Sequence, residues 1–305
     1  MASLREINPD GCTVTGHGRN SDVYSLNDGR IAKVFNKGTV PDEEIENEYR
    51  KAVASYQLGV PTPRCYELAR FRGSLCIIYE RIEARNLREL IAEDNERIEE
   101  LIGMGAELSR NLHKIRAPRD IFPSMAEIYH VRADSVSDLF TSDEVEKLHR
   151  LIDSIPEGDT FVHGDYHRGN IMLRDGELMV IDMADAAYGH PIYDVLSTYM
   201  YGPFIIKIFT QEAAEKLTGW TPKIINRVWD VFVRNYFGVY DKAVIERIED
   251  NLLFFCILRY ITFLHILPGL PEEMIRSAVS MAREVLFPFV DERIETVKKG
   301  GLYGF

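Results

Sequence analysis

The 305-residue sequence predicts an α+β protein in two lobes, with an N-terminal antiparallel sheet carrying one helix over residues 1–81 and a larger, mainly helical lobe over 82–305. Three observations lead there. Up to residue 81 the apolar residues come in short runs separated by Gly-, Asn- and Asp-containing turns, a strand-and-hairpin pattern. From residue 86 onward they recur at helical spacing over long stretches. Within that helical part, residues 161–194 (FVHGDYHRGNIMLRDGELMVIDMADAAYGHPIYD) place two apolar runs on either side of Asp175-Gly176, a strong hairpin signal.

In chain order, residues 11–14, 22–26 and 30–35 read as strands, with Asn27-Asp28-Gly29 turning between the last two. The first two enclose Gly16-His17-Gly18-Arg19-Asn20-Ser21. A glycine loop between strands lets backbone N–H groups come close to phosphates, although Gly-x-Gly alone is equally an ordinary tight turn. Lys33 sharpens that reading, because an ammonium inside an apolar strand needs a partner. An edge-strand charge is the plainer alternative. A helix follows. Pro41 and the acidic Asp42, Glu43 and Glu44 suit its start, and Gly59 and Pro61 end it. Ile45, Tyr49, Ala52, Val53 and Tyr56 make its apolar stripe. Glu48 borders the stripe and Glu43 faces away, so Glu48 is the candidate partner for Lys33. Residues 65–68 and 74–79 form two more strands around Arg72-Gly73.

Asn86 reads as the N-cap of a helix over 87–92. Ile98, Leu101, Ile102, Leu108, Leu112 and Ile115 mark a long amphipathic helix with His113 at its end. Residues 117–141, with Pro118 and Pro123, read as an irregular connector, and Ser142 as the cap of a helix through 155. Beyond the central stretch, helices are expected at 192–201, 211–218, 222–240, 242–267 and 271–297, with Val228, Trp229, Phe254 and Ile257 among their core positions.

The central stretch carries the chemistry. Its hairpin brings Asn170, at the start of one strand, beside Asp182, at the end of the other. A carboxylate and an amide oxygen are hard ligands that suit Mg2+ carrying substrate phosphates. Asp165, five residues before Asn170, sits on the loop entering the hairpin, where a carboxylate can take a proton from an attacking hydroxyl.

His163-Gly164-Asp165-x-His167-x-x-Asn170 and Ile181-Asp182-x-x-Asp185 resemble the corresponding motifs of the aminoglycoside phosphotransferase and choline kinase family. The resemblance implies a protein-kinase-like fold and Mg-dependent transfer of the γ-phosphoryl group of ATP or GTP to a small-molecule hydroxyl. On that basis Asp165 is the catalytic carboxylate and Asn170 and Asp182 hold Mg2+. Lys33, held by Glu48, contacts the α- and β-phosphates. Gly16, Gly18 and Ser21 belong to the phosphate loop, with Ser21 where the kinase pattern has its third glycine. The backbone near Glu80 and Ile82 contacts the nucleobase edge, with Tyr79 behind it. Asp194 and His163 brace the catalytic loop, while His167 braces it or contacts phosphate. Asp185 either assists Mg2+ or braces its loop. Met183 and His190 depart from the family pattern at positions without a direct catalytic role.

Composition narrows the partners. Apolar residues make up 46 % of the chain and the net charge is −12, from 48 acidic and 36 basic residues, which disfavours nucleic acid and anionic membranes. It is compatible with a cationic acceptor, although plain solubility is the reading it favours. Cys12, Cys65, Cys76 and Cys256 lack metal-type spacing and read as reduced thiols. The N-terminal residues lack an apolar signal stretch. The run 252–267 is broken by Arg259 and His265 and reads as a buried helix. A cytoplasmic enzyme is expected. Only eleven residues separate Asp182 from Asp194, too few for a protein-kinase activation segment, so a small acceptor is favoured over a protein. A non-catalytic nucleotide-binding regulator is the other alternative, disfavoured by the retention of Lys33, Asp165 and Asp182.

Overall fold

Alternation along the N-terminal strands sorts their side chains onto two faces, and Lys33 falls on the one that meets a helix. The protein is described by a computed structural model covering residues 4–266 and 269–300. Its first strands are β1 (Glu6–Ile7), β2 (Thr13–His17), β3 (Ser21–Ser25), β4 (Arg30–Phe35), β5 (Cys65–Phe71) and β6 (Ser74–Glu80). They form one sheet in the order β1-β5-β6-β4-β3-β2. All neighbours are antiparallel except β1 and β5, so the sheet is mixed where an antiparallel one was expected. The odd strand is only two residues long and is not joined to β5 by a hairpin. The β5–β6 turn, Arg72-Gly73, has φ of 52° and 74°. Left-handed backbone at both central residues is the type I′ geometry that matches strand twist.

Ile7, Leu26, Ala32, Val34, Ala69, Phe71, Cys76 and Ile78 form an apolar cluster on one face. Lys33, paired in register with Ile77, points to the other, where helix α1 (Asp42–Gln57) packs. Ile45 and Ala52 of α1 are buried as the helical stripe requires, but so are Glu48, Lys51, Ala54 and Ser55, whereas Tyr56 is exposed. The inward face of this helix is thus partly polar, because its charges find partners there.

The strand β7 (Arg85–Asn86) pairs with β9 (Ile171–Arg174), which forms the expected hairpin with β10 (Glu177–Val180) through Asp175-Gly176. The Val180 amide also donates to the Pro61 carbonyl at 2.8 Å. The first compact unit therefore runs to Asn86 and includes Gly169–Ala186, whereas the sequence placed a simple boundary at 81.

The second unit comprises Leu87–Arg168 and the described residues from Ala187 onward. It contains α2 (Leu87–Glu93), α3 (Ile98–Leu112), α4 (Met125–Ser135), α5 (Ser142–Ser154), the strand pair β8 (Thr160–Val162) and β11 (Ala187–Gly189), and α6 (Ile192–Tyr199). It continues with α7 (Ile205–Ile208), α8 (Gln211–Thr218), α9 (Pro222–Phe237), α10 (Lys242–Thr262), α11 (Glu272–Met281) and α12 (Val290–Lys298).

Several boundaries differ from expectation for identifiable reasons. Residues 117–141 are not all irregular: α4 forms within them, capped by the Ser124 hydroxyl accepting the Glu127 amide at 3.3 Å. Thr141, not Ser142, caps α5, in a reciprocal capping box with Glu144. The helix expected at 222–240 stops at Phe237, where Gly238 turns left-handed at φ 67°. The one expected at 242–267 ends at Thr262, and Leu267 lies outside the described residues. The one at 271–297 is split near Pro288, which cannot donate to a helical ladder. Among the described residues, no helix is long and apolar enough to cross a membrane. All four cysteines are free thiols.

Candidate functional site

In the first unit, β4 carries Lys33 to α1, and its Nζ lies 2.7 Å from Glu48 Oε1 and 3.0 Å from Asp182 Oδ1. Burial alone would lower the ammonium's pKa, but Asp182 and Glu48 together hold it above its ordinary value. The Tyr79 hydroxyl donates to the same Glu48 oxygen at 3.4 Å. Three groups separated by up to 149 residues in the chain thus meet through one ammonium.

Asp182 follows β10 with φ 69°, left-handed for a residue with a Cβ. That conformation costs on the order of 1 kcal/mol and is retained where surrounding structure enforces it. The Ile181 amide donates to the Asn170 carbonyl at 3.0 Å, extending the β9–β10 ladder by one step. Asn170 and Asp182 therefore occupy the adjoining ends of one hairpin, as its register predicted. Lys51, which sequence reasoning passed over, donates from α1 to the Ala184 carbonyl and so ties down the segment after Asp182. Its signal was available: three residues beyond Glu48, it shares that helix face.

The glycine loop closes as a tight turn, with the Gly18 amide donating to the Ser21 carbonyl at 2.7 Å. A Cβ on Gly18 would press on that oxygen at 3.0 Å, tighter than most Cβ contacts, whereas at Gly16 a Cβ would make only ordinary contact with Val23. Ser21 is buried at the start of β3. Glu80 ends β6, its amide donating to the Arg64 carbonyl at 2.8 Å and its carboxylate pairing with Arg174 at 2.8 Å. Ile82 lies just past the strand, half-buried.

In the second unit the loop after β8 is held by its backbone. Asp194, fully buried on α6, accepts the His163 amide at 2.8 Å and the Gly164 amide at 2.7 Å. His113 Nε2 reaches the same carboxylate at 3.1 Å, and its Nδ1 is 2.8 Å from the Tyr236 hydroxyl. Gly164 itself has φ 78°, so glycine is the residue suited to that position. From α10, the buried Arg259 donates to the Gly164 carbonyl and the Tyr129 hydroxyl, both at 2.9 Å, and stands 3.9 Å from Asp165 Oδ1. His167 Nε2 is 3.2 Å from Asp165 Oδ2, and the Ser197 hydroxyl is 3.4 Å from Oδ1. Burial would raise the Asp165 pKa, but the His167 hydrogen bond and the charges of His167, Arg259 and His163 bring it down to about 2. Sequence reasoning did not find Arg259 or the inward reach of His113. Arg259 is 95 residues from Gly164 and His113 is 81 from Asp194, so no local spacing announces either.

His190 has a structural reason to differ from the family pattern. Its Nδ1 accepts the Ile192 amide at 3.2 Å, supplying at the start of α6 the acceptor a capping carboxylate would provide. Burial, helped by the His113 charge, lowers its pKa to about 4. Because the unfolded chain binds a proton near pH 6.5 and the folded one only near 4, stability is complete above the first value and declines as pH falls toward the second. The full loss is roughly 3 kcal/mol. Denaturant melts across this range should show that decline, and His190→Asn, which keeps an acceptor but cannot protonate, should flatten it.

A family model described as the phosphotransferase enzyme family matches residues 11–222. The chain belongs to that family, and by class it is a small-molecule kinase. Among solved structures it is similar to a choline/ethanolamine kinase family protein from Mesorhizobium loti, at 13 % identity and TM-score 0.60, over 95 % of this chain and 92 % of that one. It is also similar to APH(2″)-IIa in a streptomycin–ATP ternary complex, at 15 % identity and TM-score 0.54, over 91 % and 92 %. A GDP and kanamycin complex of a related APH(2″) enzyme matches at 15 % identity and TM-score 0.54, over 96 % and 95 %. These likenesses establish a two-lobed, protein-kinase-like fold. A sequence search of curated proteins found no match.

Proposed function

We propose that this protein transfers the γ-phosphoryl group of ATP or GTP, with Mg2+, to a hydroxyl of a small molecule. The observation that carries the reading is Lys33 Nζ set between Glu48 at 2.7 Å and Asp182 at 3.0 Å. That arrangement fixes a cation suited to the α- and β-phosphates beside a carboxylate suited to the metal.

Mg2+ fits the donor set. Asn170 and Asp182 offer two hard oxygens on one hairpin, and the Asp182 side chain is 46 % exposed, consistent with an ion that keeps waters and bridges to phosphates. When bound, the ion neutralises phosphate charge. Lys33 orients the α- and β-phosphates, and Glu48 keeps its ammonium in place. Gly16, Gly18 and Ser21 belong to the phosphate loop, and the backbone near Glu80 and Ile82 meets the base. Asp165 aligns the acceptor hydroxyl and takes its proton. With a pKa of about 2 it is a weak base. Alignment and late proton acceptance, rather than deprotonation in the ground state, are its work.

The solved neighbours include complexes with ATP, GDP, streptomycin and kanamycin, which supports a nucleotide donor and a hydroxylated acceptor such as an aminoglycoside, amino alcohol or amino sugar. The short segment between Asp182 and Asp194 supports a small acceptor rather than a protein. A cytoplasmic setting is consistent with this chemistry. The test is a nucleotide-consumption screen of ATP and GTP, with and without Mg2+, against hydroxylated metabolites and aminoglycosides. Acceptor-dependent, Mg-dependent consumption is expected. Tight nucleotide binding with no acceptor-dependent turnover would favour a regulator instead.

A further inference from the structure

Arg168 follows Asp165 by three residues, and its guanidinium lies 4.2 Å above the Trp220 ring. The Arg88 amide donates to the Arg168 carbonyl at 3.2 Å, and the Arg88 guanidinium rests against Gly219, where a Cβ would meet its Nη2 at 3.5 Å. Both guanidinium groups thus border the Gly219-Trp220 turn. Among the described residues, neither has a carboxylate within ion-pair distance or a side-chain hydrogen bond. The Trp220 indole N–H is buried and also lacks an acceptor.

Arginine supplies five N–H donors in a fixed fork, and like charges held together without a counter-charge disfavour each other. Burial first, and the Arg88 charge second, push Arg168 down to about 9, the opposite of what a built ion pair does. Elsewhere in the second unit, Arg116 pairs with Asp159 and Arg150 with Asp291, and Arg283 takes Glu144 at 2.8 Å. Donors without acceptors beside a cation–π shelf are the complement of a carboxylate or phosphate.

The group sits near Asp165. Tyr201 packs on His167 with centroids 4.4 Å apart, and His167 is the residue 3.2 Å from Asp165. Tyr201 thus packs on the residue next to Arg168 in the chain, which is also the residue that reaches the proposed proton acceptor.

We propose that Arg168 and Arg88, set beside the Trp220 ring, form a subsite for an anionic oxygen group, carboxylate or phosphate, carried by the acceptor. This rests on the phosphotransferase reading and refines it: the acceptor has an acidic group as well as its hydroxyl, and any positive charge it bears makes it a zwitterion.

Two experiments separate the subsite from the reaction. The chain has two tryptophans, and the Trp229 indole is committed to Glu249 at 2.7 Å, so it serves as an internal control. In amide-type NMR spectra of the full chain, the Trp220 indole signal should move saturably with sodium phosphate or sodium acetate and not with sodium chloride at equal ionic strength. The anion that moves it distinguishes phosphate from carboxylate. Arg168→Gln and the exposed Arg88→Gln should each weaken that response on the order of tenfold or more. A stationary signal with both anions, or an undiminished response in both variants, overturns the subsite.

The second experiment uses an acceptor from the consumption screen. Arg88→Gln should raise its KM on the order of tenfold with the nucleotide KM unchanged. An acceptor without an acidic group whose KM is unaffected overturns the acceptor assignment while supporting the phosphotransferase reading. An equal loss of nucleotide affinity assigns the pair to the donor and overturns it likewise. An intact anion response with no transfer to any acceptor supports the subsite and counts against the reaction.

Discussion

Asp165→Asn is expected to reduce turnover on the order of a thousandfold while nucleotide affinity changes by no more than a few-fold. The asparagine keeps the shape of the side chain but cannot receive a proton, and it loses the charge that aligns the hydroxyl. The loop should survive the change, because Asp194 holds the His163 and Gly164 amides and Arg259 holds the Gly164 carbonyl, none of them through the Asp165 carboxylate. The pH profile offers a second check. A carboxyl held at about 2 is ionised at every pH from 5 to 8, so no activity loss in that interval should trace to Asp165. Steady-state turnover beside calorimetric nucleotide binding makes the comparison. Comparable turnover in the variant would remove Asp165 from its proposed role.

Asp182→Ala should weaken binding of the Mg–nucleotide complex on the order of a hundredfold and affect metal-free nucleotide much less. In the proposed site the carboxylate is one of two side chains that hold the ion, and it faces a dication rather than a neutral donor. Folding should persist, since Lys33 retains Glu48 at 2.7 Å and is not left as an unpaired buried charge. Calorimetric titrations with nucleotide, with Mg2+ and with a chelator in turn, separate the two effects. Equal loss with and without Mg2+ would mean that Asp182 acts on the nucleotide through Lys33 and not through the metal.

What the sequence disclosed and what it withheld divide along contact range. The β9–β10 hairpin was legible because an Asp-Gly turn fixes register, and register alone sets Asn170 against the end of the next strand. Lys33 was legible because a charge in an apolar strand demands an explanation. Glu48 followed from helical spacing. The helix α4 was missed because Pro118 and Pro123 suggested an irregular stretch and its apolar residues form no clean stripe. Met125, Tyr129 and Ala133 are buried in it, but the half-buried Ile128 and the exposed Val131 on its other faces blur the stripe. Arg259 and His113 were missed for a different reason: their partners lie on remote segments, and a polar residue in an apolar helix looks the same whether it is exposed or buried against a carbonyl. Arg168 and Arg88 share that limitation, since proximity of two like charges leaves no trace in spacing.

One measurement bears most directly on the central claim that these groups serve a single phosphoryl transfer. ATP and GTP labelled in the γ-phosphoryl group should be incubated with the protein, Mg2+ and an acceptor from the screen, and the product analysed by mass spectrometry. The label should appear as a phosphate monoester on an acceptor hydroxyl, and this product should vanish in Asp165→Asn. Label released only to water, or an undiminished yield of ester from the variant, would contradict it.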